Sequence, residues 1–69
     1  MPKDPRITEL MKAAIAIVGS QVELARRLGV KQPSVNRMLH RGRVSPQMAI
    51  KLEGLTQIPR ARWRPDLFA

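Results

Sequence analysis

Apolar residues recur at helical spacing in four stretches of the chain, and capping residues mark where the stretches begin. The first stretch follows Asp4 and Pro5, which form a helix cap with proline at the first helical position, and it stops before Gly19. The pattern therefore predicts a first helix over residues 5–18. Its apolar positions are Ile7, Leu10, Met11, Ala14, Ile15 and Val18.

The second stretch is short and carries signals at both ends. Ser20 and Glu23 match a capping box, in which the Ser20 hydroxyl accepts from the Glu23 amide and the Glu23 carboxylate accepts from the Ser20 amide. Gly29 stands where the end of a helix needs a left-handed residue. The sequence thus predicts a helix from Gln21 to the residue before Gly29.

Prolines place the starts of the later helices. Pro33 fits a helix only in its first turn, so a third helix begins near Gln32, and Gly42 ends it. Ser45 and Pro46 repeat the cap and proline signal. The apolar stripe of this fourth helix is Ala49, Ile50, Leu52 and Leu55. A short last turn over residues 59–64 is ended by a proline at 65, so we expect an all-α chain of four to five short helices.

Composition supports one small helical domain. The chain has 69 residues, too few to enclose two cores, so residues 1–69 are expected to form a single domain. One tryptophan, one phenylalanine and no tyrosine leave an aliphatic core, which favours packed helices over a sheet. The chain has no cysteine and therefore no disulfide, so self-association is the remaining way to stabilise so small a core.

The second and third helices have the spacing of a helix-turn-helix over residues 21–40. Ala25 lies where the two helices approach, Gly29 makes the left-handed turn, and Val35 fills the wedge between them. A three-helix bundle with an incidental glycine turn is the alternative. The distribution of charge favours the first interpretation.

The net charge is +8, from 13 basic and five acidic residues, which indicates an anionic polymer as the partner. Residues 20–44 hold six of the basic residues and one acid, and no acid lies between Lys31 and Arg43. A phosphate backbone would therefore meet no carboxylate along the third helix. Charge alone also suits an RNA or a membrane surface, but no long amphipathic basic helix or set of stacking aromatics supports either.

The outward face of the third helix holds side chains that read bases in the major groove. Gln32 and Asn36 can pair with adenine, Arg37 can donate two bonds to guanine, and Ser34 either contacts a base or caps the helix. A solvated polar face has a similar composition. We predict that these four residues read the sequence of double-stranded DNA.

Flanking residues are predicted to hold the sugar-phosphate backbone. Lys31, Arg41 and Arg43 bracket the third helix and supply charge without reading sequence. Gln21 opens the second helix, where it either binds a phosphate at the positive helix end or is simply exposed. His40 is assigned a groove-edge or phosphate contact.

Nothing in the sequence indicates catalysis. His40 is the only histidine and has no ligand or acid-base partner at a suitable spacing, and each candidate serine has a structural role, so we expect neither an enzyme nor a metal or cofactor. No small-molecule substrate is indicated. The chain lacks an apolar run of membrane-spanning length and a signal-peptide pattern, so we expect a cytoplasmic protein without a membrane partner.

The segment from Val30 to Arg37, continued by His40 and Gly42-Arg43, resembles the recognition region of phage Cro repressors. Two positions depart from that pattern: Pro33, where a polar reader is frequent, and Lys31, where a capping residue is usual. Residues 44–53 and the ending over residues 64–68 resemble the YdaS-type group of prophage-encoded Cro-like proteins, some of which are toxin-antitoxin components.

These resemblances imply a Cro/lambda-repressor-like helix-turn-helix fold and a homodimer that represses transcription from an inverted-repeat operator. They imply base contacts at Gln32, Ser34, Asn36 and Arg37. Backbone contacts are implied at Gln21, His40 and Arg43. A prophage toxin-antitoxin component, or a module that binds another protein through Trp63, Leu67 and Phe68, is the alternative function. Trp63 and Phe68 are expected either to complete the monomer core or to join two monomers.

Overall fold

A computed structural model describes residues 4–68 as a sequence of six helices without a strand. They are α1 (Pro5–Val18), α2 (Gln21–Leu28), α3 (Gln32–Arg41), α4 (Pro46–Thr56), α5 (Arg60–Trp63) and α6 (Pro65–Phe68). The predicted all-α class is confirmed. The helix beyond the predicted four to five is the single turn α6, which forms because proline is well suited to a first helical position.

Side-chain caps fix the starts of three helices as predicted. Asp4 accepts from the Arg6 amide at 2.9 Å, Ser20 from the Glu23 amide at 3.1 Å, and Ser45 from the Met48 amide at 3.2 Å. The residue before α3 is Lys31, which makes no side-chain cap bond. The start of α3 therefore rests on proline at its second position and on packing.

The return half of the predicted capping box is wrong. The Glu23 carboxylate accepts from the guanidinium groups of Arg26 and Arg27 rather than from the Ser20 amide. Both arginines lie within one helical turn of Glu23, where an opposite charge is a favourable neighbour. Glu23 thus neutralises part of α2 rather than capping it.

One apolar core joins residues from α1 to α5 and the loop before α4. Its members are Ile7, Leu10, Met11, Ala14, Leu24, Ala25, Leu28, Val35, Val44, Ala49, Leu52 and Trp63. Trp63 is 1% exposed, so it completes the core of the monomer, while Phe68 packs against the core's edge. Ile50 was assigned to the apolar stripe of α4 but is 48% exposed, because Ala49 and Leu52 occupy the inward face.

Two polar contacts tie α4 to its neighbours. The Lys51 ammonium donates to the Leu28 carbonyl at 3.0 Å and so satisfies a free carbonyl at the end of α2. The Glu53 carboxylate accepts from the Arg60 amide at 2.8 Å and caps α5. These contacts hold the helix-turn-helix on one side of α4 and the last turns on the other. No helix in residues 4–68 is long and apolar enough to cross a membrane.

Candidate nucleic-acid interface

The α2–turn–α3 unit is built around the three structural positions predicted from the sequence. Ala25 and Val35 are both buried, and Gly29 adopts the left-handed conformation with φ of 74°. The Val30 amide donates to the Ala25 carbonyl at 3.0 Å and closes the turn. The chain therefore leaves α2 and enters α3 through a defined turn, with the small Ala25 side chain in the same core as Val35.

The far end of α3 is held by α1. The Thr8 hydroxyl donates to the Leu39 carbonyl at 3.1 Å, which satisfies one of the carbonyls that the end of a helix leaves free. Gly42, which ends α3 with φ of 62°, lies against the backbone of Asp4. Because both ends of α3 are fixed, its outer face is presented as a rigid surface.

The predicted base-reading residues lie on that outer face, with one difference in exposure. Gln32, Asn36 and Arg37 are exposed, whereas Ser34 is half-buried. The Ser34 hydroxyl accepts from the Arg37 guanidinium at 3.4 Å, a contact that neither sequence interpretation of Ser34 included. Ser34 is thus placed beside Arg37, where it can orient that guanidinium.

The predicted backbone-binding residues are distributed around α3. Lys31, His40, Arg41 and Arg43 are exposed at its two ends, and Gln21 is half-buried at the first position of α2. Arg41 and Arg43 line a groove of about 580 Å³ together with Arg37. The groove is closed on its other side by Ser45, Pro46 and Met48, in the first turn of α4. The groove therefore places three arginines beside the N-terminus of α4, which is the positive end of that helix.

Arg64 is a fourth arginine of this groove, and its place there is not among the contacts predicted from the sequence. Its guanidinium donates to the Val44 carbonyl at 3.0 Å and pairs with Asp66 at 2.7 Å. The pair with Asp66 lowers the pKa of that carboxyl and raises the pKa of Arg64. Asp66, two residues after Arg64, was the one sequence signal of a local ion pair, but nothing in the sequence places either residue beside Arg43.

All five acidic residues are bonded to groups outside α3, although Asp66 is close enough to Arg43 for the two charges to interact. Asp4 pairs with Arg6, Glu9 with Lys12, Glu23 with Arg26 and Arg27, and Asp66 with Arg64, while Glu53 caps α5. Within residues 4–68, no basic side chain between Lys31 and Arg43 forms a salt bridge. The positive charges around α3 are therefore available to an external anion.

The helices that form this surface also lie within a match to a known protein family. The sequence profile of the family described as bacterial toxin YdaS matches residues 11–69. The chain belongs to the YdaS family. No curated protein and no solved structure matches the chain. The predicted resemblance to YdaS proteins is confirmed, and the match takes in the whole of α2 through α6.

The YdaS-family match therefore includes both the helix-turn-helix and the C-terminal turns that carry Arg64. The groove is shared between these two parts of the chain. In the part of the chain that the structure describes, no group of three or more His, Cys, Asp or Glu residues is placed to hold a metal ion. This surface can provide hydrogen bonds and positive charge to a ligand.

Proposed function

We propose that this chain is a non-enzymatic transcription regulator that binds a specific double-stranded DNA site, with α3 in the major groove. The observation that carries the proposal is the unpaired positive charge around an exposed polar helix. Gln32, Asn36 and Arg37 face solvent, and no acid lies between Lys31 and Arg43 in the sequence to repel phosphate. Asp66, which is close to Arg43, is paired with Arg64. A merely solvated helix face usually mixes charges of both signs, and α3 does not.

The exposed side chains of α3 match the hydrogen-bonding groups of the major groove. The amides of Gln32 and Asn36 each present a donor and an acceptor, as adenine requires, and Arg37 presents two parallel donors to guanine. Asn36 and Arg37 are adjacent in the middle of α3, and both are exposed. We assign sequence discrimination mainly to these two residues.

Backbone contacts are assigned to the residues around this centre. Lys31 lies before α3, and Arg41 and Arg43 lie after it, so they would contact phosphates on both sides of the groove. Gln21 and His40 add hydrogen bonds to the same strands. Arg64, held by Val44 and Asp66, is assigned the role of supporting the loop that carries Arg43.

A homodimer of the Cro type is the proposed binding form. Two copies related by a twofold axis would place their α3 helices roughly 34–36 Å apart, one turn of DNA, and so read an inverted repeat. Exposed apolar side chains that self-association would cover are available at Ile17, Val22, Ile50 and Leu67. Sedimentation of the chain with and without a selected duplex measures the stoichiometry, and one chain per half-site pair would contradict the dimer.

Selection from random duplexes at near-physiological salt tests the main proposal. We expect enriched sequences to contain two related half-sites, because the charge-driven part of binding is the same for every duplex. Recovery of a random pool, with binding that depends only on salt, would overturn sequence-specific binding. A parallel selection with Asn36→Ala should enrich a site with one or two positions relaxed.

A second candidate function is a prophage toxin-antitoxin component that acts through another protein. The family is described as a bacterial toxin, and Leu67, beside Phe68, is 52% exposed. Trp63 is in the core and offers no surface to a protein partner. If expression arrests bacterial growth, Leu67→Ser should relieve it under this hypothesis, whereas Arg37→Ala should relieve it if DNA binding is the cause.

A further inference from the structure

A second cavity also borders the loop that follows α3. It holds about 710 Å³ and is formed by the start of α1, the loop from Gly42 to Val44, and the turn between α5 and α6. This volume falls within the range of small-molecule sites, about 300–1,000 Å³. Three separate parts of the chain meet here, so the cavity exists only in the folded domain.

The walls of the cavity include buried apolar side chains. Ile7, Val44 and Trp63 line it and are 4%, 2% and 1% exposed. The Trp63 indole Nε1–H is buried without a hydrogen-bond acceptor among the described residues. An unpaired buried donor costs free energy, so this part of the core is less stabilised than one in which every polar group is paired.

Charged side chains line the rest of the cavity, and their balance is positive. Arg6 pairs with Asp4, and Arg64 pairs with Asp66, so four of the five charges are matched locally. Arg43, the fifth, forms no salt bridge within residues 4–68. Asp66 is close enough for Arg43 to contribute to the lowering of its pKa, but the Asp66 carboxylate is bonded to Arg64.

We propose that this cavity binds a small carboxylate with an apolar tail, the carboxylate at Arg43 and the tail against the exposed Pro5 and Pro65, beside the buried Trp63. An arginine binds a carboxylate through paired hydrogen bonds, and the apolar wall adds contact area that water cannot supply. This site goes beyond DNA binding. Arg43, Val44 and Arg64 also line the groove beside α3, so the ligand and a DNA phosphate compete for Arg43. That competition rests on the proposed function.

Trp63 makes the site directly observable. It is the only tryptophan, and the chain has no tyrosine, so fluorescence excited at the indole band reports on the one indole, which lines this cavity. The probes are sodium hexanoate, sodium acetate and hexylammonium chloride at matched ionic strength. We expect a saturable change with hexanoate, at least tenfold weaker binding of acetate, and no saturable change with hexylammonium. Equal responses to all three, or no response to hexanoate, would overturn the proposal.

Two variants with the same loss of charge separate the site from general electrostatics. Arg43→Gln should weaken hexanoate binding about tenfold, as expected for the loss of a charged hydrogen bond. Lys12→Gln, on the exposed face of α1, should leave it unchanged. The single indole N–H resonance of Trp63 gives a second measurement and also verifies that each variant is folded. Equal weakening in both variants would show that the ligand responds to net charge only.

Competition with DNA is measured separately, on a duplex obtained by selection or, failing that, on random duplex DNA. Hexanoate at saturation of the fluorescence change should weaken DNA binding several-fold more than acetate at equal ionic strength. Unaltered DNA binding would overturn the competition while the fluorescence result supports the cavity site. Because the fluorescence titration contains no DNA, its failure would count against the cavity site alone and not against DNA binding.

Discussion

Gly42 lies so close to Asp4 that a Cβ atom on Gly42 would be 2.5 Å from the Asp4 carbonyl oxygen. This contact joins the residue that ends α3 to the residue that caps α1. Because the obstacle is backbone, a rotation of a side chain cannot relieve it. A methyl group added at Gly42 would therefore force α3 and α1 to shift relative to each other.

Gly42→Ala should destabilise the protein by about 2–4 kcal/mol, measured by urea denaturation followed by circular dichroism. About 1–2 kcal/mol comes from alanine in a left-handed conformation, and the displacement of α1 adds the rest. The total stability expected of so small a core is only about 3–5 kcal/mol, so the variant will be close to unfolding at 37 °C.

Gly29→Ala is the matched control for that prediction. Gly29 is also left-handed, but a Cβ there would meet only the flexible Lys51 ammonium at 3.9 Å. Its substitution should therefore cost only the conformational part, about 1–2 kcal/mol. If the two variants lose equal stability, the contact between Gly42 and Asp4 contributes nothing.

Gly54→Ala should stabilise the protein by about 0.5–1 kcal/mol. Gly54 is an exposed residue in α4, and a Cβ there would have no atom within 4 Å. Alanine restricts the unfolded chain and favours the helix without a clash. The urea midpoint should rise with no change in the slope of the transition; a lower midpoint would show that α4 requires glycine for a reason outside the monomer.

Glu23 should contribute a component of stability that depends on pH. Hydrogen bonds from Arg26 and Arg27 lower the pKa of Glu23 from 4.5 to about 2. A carboxyl with a lowered pKa in the folded state stabilises the protein above its unfolded pKa, and the contribution disappears as the pH falls towards the folded pKa. The stability difference between wild type and Glu23→Gln should therefore shrink from pH 5 to pH 2.

Salt provides the control for this ion-pair cluster. The side chains of Arg26 and Arg27 are 70% and 47% exposed, so 1 M salt should screen the interaction and reduce the difference at pH 7 as well. Asp4 and Asp66 also have lowered pKa values, but they are present in both proteins and cancel in the comparison. A difference that is independent of both pH and salt would assign the effect of Glu23 to packing.

The helix boundaries could be predicted because local chemistry determines them. Asp4, Ser20 and Ser45 each cap a helix through their own side chains, and Gly29 and Gly42 end helices through conformations that other residues rarely adopt. The orientation of Ile50 could not be predicted, because α4 is apolar on more than one face and only the neighbouring helices decide which face is buried. Likewise, the sequence does not determine whether the Glu23 carboxylate bonds to the Ser20 amide or to the guanidinium groups of Arg26 and Arg27.

The features of the site that depend on a single helix could be predicted from the sequence. The features that depend on contacts between distant segments could not. The exposure of Asn36 and Arg37 follows from helical periodicity around the buried Val35. The approach of Arg64 to the loop at Val44 depends on how α5 folds back over the core, and no periodic pattern encodes a contact over 20 residues. The second cavity is not predictable from the sequence for the same reason, since its walls come from three parts of the chain.

Arg37→Ala and Arg43→Ala should weaken DNA binding in different ways. Loss of a base reader should cost about 1–3 kcal/mol on the selected duplex and relax the preference at one base pair. Loss of a phosphate contact should weaken all duplexes alike and reduce the slope of log K against log salt by about one. Both side chains are exposed and form no salt bridge within residues 4–68, so the fold should be unaffected.

The comparison between these variants is made on selected and scrambled duplexes over a series of salt concentrations. Lys12→Ala, which removes the same charge from an exposed position in the middle of α1, measures the effect of net charge alone. If Arg37→Ala weakens both duplexes equally, Arg37 contacts the backbone and Asn36 becomes the principal reader. If Arg43→Ala instead relaxes a base preference, α3 lies deeper along the groove at its C-terminal end, and the loop beyond Gly42 belongs to the reading surface.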